Sequence, residues 1–374
     1  MFSVILAIVV VLGAVLALQA WFLSDEFRRR ALTPDANPRQ ADIGVVDIQE
    51  NQVTLRLAPG SKRKGLLAID GVWGMEWSGG YAQVGEIFDV DDQRVVREFR
   101  PLIERPKVGE MVLLDIFAYP GDPQQALGIP FEEVSYNSQL GEFAAWFVDG
   151  PSDTWVILIH GSNSSPREAL RVLPTVAELG LPSLVITYRN DKGAPANPDG
   201  FQRYGQTEWQ DLEGAAAYAI EHGAKKLILV GYSMGGAIVM SFLYRSELAD
   251  KVMGAILECP MLDFNATISH GCRDRRFAHL LLPICKLFAT LRFGVDWREL
   301  NYLARADQLA VPILLIHGDQ DNIVPIKTSD GLAKARSDIV EYVRVSGATH
   351  AAAWNKLPSD YEAAVRGFLQ KLTR

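Results

Sequence analysis

The segment Gly231–Gly235 places one serine, Ser233, between two glycines directly after the apolar run 226–230. A run of small and apolar residues follows it. A strand that turns sharply into a helix exposes the serine hydroxyl at the carboxyl edge of a sheet, which is the setting of a nucleophile elbow. Because the pattern Gly-x-Ser-x-Gly also occurs by chance, a catalytic Ser233 needs a base and an acid elsewhere in the chain.

A serine hydroxyl needs a general base near neutral pH, and the chain has only six histidines from which to choose one. His160 and His317 each end an apolar run and precede a glycine, so we expect them to shape turns. Three others lie at a helix end or in an irregular insertion. His350 follows the predicted strand 341–345 on a loop before the last predicted helix. We therefore predict that His350 is the base.

The third member of such a site is a buried carboxylate that orients the imidazole and stabilises its protonated form. Three acids follow late predicted strands: Asp263, Asp319 and Asp321. Asp321 lies two residues beyond Asp319, where the loop can bend back towards His350. Asp319 is better suited to forming a turn, because aspartate side chains readily accept bonds from nearby backbone N–H groups. Spacing favours Asp321 and leaves Asp263 and Asp319 as alternatives.

These motifs together resemble the α/β-hydrolase superfamily, in its broad group of serine hydrolases with a His-Gly loop after the third strand. The order Ser233, Asp321, His350 is the order that this family uses, and the family places its acid at the position of Asp321. The resemblance covers about residues 131–374 and implies a mostly parallel, doubly wound sheet. It says little about the substrate. The matching residues are His160–Ser162, Gly231–Gly235, His317–Pro325 and His350.

Attack on a carbonyl puts negative charge on its oxygen, and losing one backbone N–H that stabilises this charge costs roughly 3 kcal/mol. Met234 follows the nucleophile at a helix start, so its N–H should be one donor. By resemblance to the family, the other donor comes from the loop after His160, with Ser162 preferred and Asn163 as the alternative. The same loop, followed by Pro166, is also a good helix start.

The first 24 residues carry no charged side chain. A helix over residues 2–23 would span about 33 Å, enough for a bilayer core of about 30 Å. Its length and the lack of a basic start favour an uncleaved transmembrane anchor over a cleaved signal peptide. Because Arg28–Arg30 follow the run, the positive-inside rule predicts a single-pass membrane protein with its catalytic domain in the cytoplasm.

A proline-containing linker, residues 31–42, separates this helix from a predicted β-rich accessory region over residues 40–130. Proline and glycine clusters break that region into short strands, a pattern typical of a small antiparallel sheet or barrel. It contains no catalytic constellation, and we expect Trp73 and Trp77 to pack in its core. The predicted strands are 43–48, 52–57, 81–88, 94–99 and 111–118.

Residues 131–374 alternate strands with helices, which predicts the doubly wound sheet independently of the family resemblance. The insertion 262–305, between two late strands, is predicted to be a cap. Its apolar side chains could line a pocket for a lipophilic acyl chain or pack the cap onto the core, and both can hold. They include Leu287, Phe288, Leu291 and Phe293.

Composition excludes other classes. A net charge of −8 argues against nucleic acid as a main partner. Neither GxxxxGK nor GxGxxG occurs, and we expect no cofactor. The three cysteines make neither a metal site nor a disulfide framework, and a Cys272–Cys285 disulfide is disfavoured.

The sequence thus predicts a membrane-anchored serine hydrolase that cleaves a carboxylic ester through an acyl-enzyme. Its expected partners are a small-molecule ester or lipid substrate and the membrane, and its oligomeric state stays open. A serine peptidase or amidase and an acyltransferase, in which an alcohol replaces water, would use the same triad. A non-catalytic scaffold is disfavoured by the complete set of catalytic residue types.

Overall fold

The computed structural model describes residues 2–35, 40–58, 66–91, 93–273 and 278–374. Its strands are β1 (Ile43–Ile48), β2 (Gln52–Leu57), β3 (Trp73–Trp77), β4 (Gly80–Val90), β5 (Arg94–Ile103), β6 (Met111–Asp115), β7 (Glu132–Ser138), β8 (Gly141–Val148), β9 (Thr154–Ile159), β10 (Ser183–Ile186), β11 (Lys226–Tyr232), β12 (Val252–Glu258), β13 (Ile313–Gly318) and β14 (Val340–Val345). Its α-helices are α1 (Phe2–Phe27), α2 (Pro123–Leu127), α3 (Leu173–Glu178), α4 (Trp209–Glu221), α5 (Met234–Arg245), α6 (Phe264–Gly271), α7 (Ala278–Phe293), α8 (Lys327–Ala335), α9 (Ala353–Lys356) and α10 (Pro358–Thr373). A π-helix covers Arg28–Leu32, and short 3-10 helices cover Leu66–Ala68, Pro166–Arg171, Glu247–Lys251 and Tyr302–Gln308.

The first six strands close into an antiparallel barrel in the order β1-β2-β5-β4-β3-β6. The strands predicted from the sequence do not include β3, because the glycines around it, Gly71, Gly79 and Gly80, are typical of turns. Gly74 belongs in this strand for a packing reason: a side-chain carbon there would lie 1.8 Å from the hydroxyl oxygen of Tyr81. Trp73 and Trp77 both pack in the barrel core, as predicted.

Arg97 of β5 is fully buried in the barrel. Its guanidinium donates hydrogen bonds to the backbone carbonyls of Leu66, Leu67, Ile69, Gly71 and Gly85. Desolvation by burial lowers the pKa of Arg97 to about 10. The side chain therefore joins the segment before β3 to the barrel wall.

The remaining eight strands form one sheet in the order β14-β13-β12-β11-β9-β10-β8-β7. Strands β9 to β14 are mutually parallel, and β8 runs antiparallel to β7 and β10. Alternate residues face opposite sides: Ile157 and Leu229 enter one hydrophobic cluster with α4 and α5, while Leu158 and Val230 enter another with α3 and α10. The predicted mostly parallel, doubly wound sheet is confirmed.

The insertion 262–305, for which we keep the name cap, contains helices α6 and α7, and α1 packs along α7. Arg292 of α7 lies over the ring of Trp21 at 3.6 Å from its centroid. Its guanidinium also donates to Ser24 Oγ at 2.6 Å and to a carboxylate oxygen of Asp25 at 2.9 Å. The carboxyl-terminal turns of α1 are thus attached to the cap.

The predicted transmembrane anchor over residues 2–23 is not supported. Across the described ranges, none of the helices combines the length and the apolar character that crossing a bilayer requires. The prediction of a single-pass protein with a cytoplasmic catalytic domain depended on that helix and loses its basis.

Asn355 connects the barrel to the main sheet. Its Nδ2 donates to the carbonyls of Val72 and Ile116 at 2.7 and 2.9 Å, and its own carbonyl accepts from Val72 N at 2.8 Å. Arg171 donates to Asn355 Oδ1 at 2.9 Å and to the carbonyl of Ala351 at 2.7 Å. The barrel is therefore bonded to helix α9, which follows the loop after β14.

We predict that Arg97→Met destabilises the protein by at least about 3 kcal/mol, because several buried carbonyls lose their donor at once. The matched control is Arg94→Met on the same strand, where the side chain is exposed; it should stay within about 0.5 kcal/mol of the wild type. Urea titrations followed by tryptophan fluorescence measure the difference. Equal midpoints for the two variants would show that the buried guanidinium contributes nothing to stability.

Candidate active site

Ser233 lies at the sharp turn between β11 and α5. Its backbone has φ +50° and ψ −109°, a strained conformation of the kind found at functional sites. Both flanking glycines are required: a side-chain carbon at Gly235 would lie 2.2 Å from the carbonyl oxygen of Ile159, and one at Gly231 would lie 2.7 Å from the backbone of Gly235. The turn leaves Ser233 half-buried, and its side chain makes no capping hydrogen bond to the helix.

The structure brings Ser233, His350 and Asp321 together. Ser233 Oγ lies 2.9 Å from His350 Nε2, and His350 Nδ1 lies 2.7 Å from Asp321 Oδ2. An ionised carboxylate can only accept a hydrogen bond, so the proton of a neutral His350 is on Nδ1. Nε2 is then free to accept the proton of the Ser233 hydroxyl. We call this arrangement the 233–350–321 relay.

The Asp321 carboxylate is fully buried and accepts four hydrogen bonds. Oδ2 accepts from His350 and from His317 Nε2 at 3.1 Å; Oδ1 accepts from the backbone N–H groups of Ile323 and Val324 at 2.8 and 2.9 Å. Burial alone would raise the pKa of Asp321, but the bonds from His317 and His350 outweigh it and hold the pKa well below its usual value. Asp321 therefore stays ionised.

The two alternative acids have other partners. Asp263 caps α6 by accepting from the N–H of Ala266 at 3.0 Å. Asp319 accepts from the N–H of Gly347 at 2.8 Å, on the loop that leads to His350. Neither carboxylate is bonded to His350, so Asp321 is the acid that the geometry places in the relay.

His317 is the functional contact that sequence reasoning missed, since we predicted only a turn there. It is fully buried, and its Nδ1 lies 2.7 Å from Ser329 Oγ. Because Nε2 faces the Asp321 carboxylate and the carbonyl of Val324, which only accept hydrogen bonds, Nε2 carries the proton that is donated to Asp321. The signal was present as the four-residue spacing between His317 and Asp321, but spacing alone does not show which way a side chain points.

The loop after β9 lies against the nucleophile. A side-chain carbon at Gly161 would be 3.3 Å from Ser233 Cβ. Gly161 uses its own N–H in a 2.8 Å bond to Glu168 Oε2. The N–H groups of Ser162 and Met234, by contrast, donate to no residue that the structure describes. Both are available to stabilise a negatively charged oxygen.

His160, which the sequence predicted to shape a turn, contacts this loop through one ring nitrogen and Asp191 through the other. Its Nδ1 lies 2.9 Å from the carbonyl of Gly161 and its Nε2 lies 2.9 Å from the carboxylate of Asp191. Burial alone would lower the pKa of His160, but Asp191 raises it above its usual value. A protonated ring satisfies both acceptors.

Comparison with known proteins agrees with this architecture. Residues 151–301 match the family described as Serine aminopeptidase, S33. An esterase from Pyrococcus furiosus superposes with a TM-score of 0.55 at 19% identity, over 68% of this chain and 97% of that one. The fold is that of an α/β-hydrolase. The chain is also 26% identical over 229 residues to the protein YqkD of Bacillus subtilis (59% of this chain, 73% of that protein), and 22% identical over 269 residues to YfhR of Escherichia coli (67% and 84%).

A cavity of about 550 Å³ opens on Ser233 and His350. Such a volume lies within the usual range for small-molecule sites. Its lining comes from the cap, the loop after β9, the end of the barrel and residues 23–30. The apolar lining residues include Leu23, Phe27, Ile116, Phe117, Met261, Phe264, Ile268, Leu282, Ala289, Trp297, Ile323 and Val324.

One group of metal-ligand types converges among the described residues: ligand atoms of Cys259, Asp321 and His350 lie within 4.8 Å of one another. A thiol binds metal as the thiolate, and burial raises the pKa of Cys259 well above its usual value. Asp321 and His350 are already bonded to each other, so the group is better explained by the 233–350–321 relay. All three cysteines, including Cys272 and Cys285, are free thiols.

The lowered pKa of Asp321 predicts a specific pH dependence of stability. The stabilisation is fully present above the unfolded value of about 3.9 and is lost as the pH falls through the lower folded value. The difference in unfolding free energy between the wild type and Asp321→Asn should therefore stay constant from about pH 8 to about pH 5 and shrink only below about pH 4. Urea titrations over this range measure it, and a difference that already declines at neutral pH would contradict the assignment of an ionised, bonded carboxylate.

Proposed function

We propose that this protein is a serine hydrolase that cleaves carboxylic esters with an apolar acyl group. The observation that carries the proposal is the 2.9 Å contact between Ser233 Oγ and His350 Nε2, on a ring whose other nitrogen is bonded to a buried carboxylate. A hydroxyl whose proton has an acceptor in place is an activated nucleophile. The α/β-hydrolase fold and its likeness to an esterase structure are consistent with this chemistry.

In the proposed reaction, Ser233 Oγ bonds to the ester carbonyl carbon while its proton moves to His350 Nε2. The N–H groups of Met234 and Ser162 stabilise the negative oxygen of the tetrahedral intermediate. When that intermediate collapses, the bond to the alkoxy oxygen breaks and His350 returns the proton to the leaving alcohol. Asp321 stabilises the imidazolium between the two transfers.

Water then enters and attacks the acyl-enzyme. His350 takes a proton from this water, and a second tetrahedral intermediate forms on the same carbon. As it collapses, the bond from the carbon to Ser233 Oγ breaks, the carboxylic acid leaves, and the proton returns to the serine. The products are one acid and one alcohol, and the protein ends in its starting state.

An aminopeptidase reaction is the second candidate, because the matched family carries that description. Such an enzyme must hold the free ammonium of its substrate, which a carboxylate in the pocket would do. The described lining contains Glu26 and Glu168. Glu26 pairs with Arg30 at 3.0 Å, and Glu168 accepts from Gly161 N and from Ser164 Oγ. Both carboxylates already have partners, which favours an ester substrate.

We expect a fluorophosphonate probe to label the wild type at Ser233 and to leave Ser233→Ala unlabelled. In steady-state ester hydrolysis, Asp321→Asn should lower kcat by about 10⁴-fold or more. The control is Ser337→Ala, an exposed serine that does not line the cavity, which should label like the wild type. Mass spectrometry of the labelled peptide identifies the residue. Modification elsewhere, with Ser233 untouched, would overturn the proposal.

We further expect p-nitrophenyl esters to be hydrolysed with a higher kcat/KM than aminoacyl-anilides. The reason is that the pocket offers apolar surface for an acyl chain and no unpaired carboxylate for an ammonium among its described residues. Steady-state rates on a matched panel decide between the two reactions. A preference for the anilides would make the protein a peptidase on the same triad.

A further inference from the structure

The carboxyl-terminal end of α1 and the π-helix after it reach the candidate active site. Leu23, Glu26, Phe27 and Arg30 line the same cavity that opens on Ser233. These residues precede the barrel, and they lie far outside the matched region 151–301. The cavity is therefore incomplete without a segment that is not part of the matched hydrolase region.

Bonds on both sides hold this segment in place. At one end, Arg292 of the cap contacts Trp21, Ser24 and Asp25, as described above. At the other end, the Tyr204 hydroxyl donates to the carbonyl of Ala31 at 2.5 Å, and the N–H of Gln202 donates to the carbonyl of Leu32 at 2.7 Å. These bonds attach residues 20–32 to the cap and to the loop before α4. We call residues 20–35 the N-terminal segment.

The segment also touches the loop that carries a proposed oxyanion donor. The N–H of Asp35 donates to Asn163 Oδ1 at 2.8 Å. Asn163 has φ +53°, a conformation that costs energy in most residues and is held here by its surroundings. The N-terminal segment therefore runs from the cap to the residue next to Ser162.

Phe27 makes the aromatic contacts between the N-terminal segment and the cap. Its ring centroid lies 6.0 Å from that of Phe264 and 5.8 Å from that of Trp297. Phe264 and Trp297 stack on each other at 5.6 Å, and Tyr204 lies 4.3 Å from Phe264. All four rings belong to residues that line the cavity. They come from three separate stretches of the chain and form one apolar surface, the aromatic wall.

We propose that Leu23, Glu26, Phe27 and Arg30 of the N-terminal segment are part of the substrate site and that Phe27 sets the length of the acyl chain that the enzyme accepts. This rests on the proposed ester hydrolase function. The acyl group stays bonded to Ser233 after the alcohol has left, so the apolar cavity that opens on Ser233 suits the chain that remains. The substrate class is an ester of a linear, uncharged acyl chain whose far end lies against the aromatic wall.

The test is the acyl-chain profile of kcat/KM on p-nitrophenyl esters from acetate upwards. Each buried methylene contributes about 0.8 kcal/mol, or about fourfold in kcat/KM, until the chain meets the wall. In Phe27→Ala this rise should continue to longer chains than in the wild type. In Phe27→Trp it should end at shorter chains. Opposite shifts from two changes at one position are not expected from a general loss of structure.

The matched control is Phe22→Ala, on the same helix, where the ring is 64% exposed and lies outside this cavity. Its acyl-chain profile should equal that of the wild type. Phe27→Leu, a smaller change, replaces Phe27→Ala if that variant does not fold. A second series, with a constant acetyl group and alcohols of increasing length, should respond equally in all variants.

The outcomes separate the two proposals. A wild type that neither takes the fluorophosphonate label at Ser233 nor hydrolyses esters would overturn the hydrolase function and this proposal with it. Variants that label at Ser233 and hydrolyse esters, yet keep the wild-type acyl-chain profile, would overturn the role of Phe27 alone. A shift confined to the alcohol series would also contradict it.

Discussion

The buried carboxylate of Asp321 is the interaction on which the rest of the site depends. A charge in the protein interior is tolerated only when hydrogen bonds replace its water, and four donors do so here. Two of them are backbone N–H groups that fix the loop after β13, and two are imidazoles. The same bonds that keep Asp321 ionised also orient His350 towards Ser233. Stability and the proposed chemistry therefore share one set of contacts.

A second buried network of hydrogen bonds connects the loop beside Ser233, the loop that carries His350 and the barrel. Glu168 accepts from the N–H of Gly161 and lies 3.5 Å from the guanidinium of Arg171. Arg171 in turn donates to the carbonyl of Ala351, the neighbour of His350, and to Asn355, which is bonded to the barrel. The loop beside the nucleophile, the loop of the base and the barrel are linked through one side chain. The barrel thus supports the geometry of the site although it carries none of the relay.

Much of the fold and of the candidate site could be predicted from local sequence patterns. The apolar run and glycines around Ser233 predict the elbow, because sheet and turn geometry demand those residue types at that place. Chain order and the family resemblance pointed to Asp321 and His350. Two features could not be predicted from the sequence: the contact of His317 with Asp321 and the strand Trp73–Trp77. Both depend on side chains that meet only after folding. Likewise, the apolar pattern of α1 was assigned to a bilayer because a pattern does not show what a helix packs against; its last turns contact the cap and the cavity.

The most direct measurement of the central claim is the ¹H NMR signal of the imidazole N–H of His350. The structure places that proton on Nδ1 in a 2.7 Å bond to an ionised carboxylate, which shields it from exchange and moves its resonance far downfield. We expect a downfield signal in the wild type that survives in Ser233→Ala and is lost in Asp321→Asn and His350→Gln. A signal that persists unchanged in Asp321→Asn would show that Asp321 does not hold the imidazole, and would contradict the account.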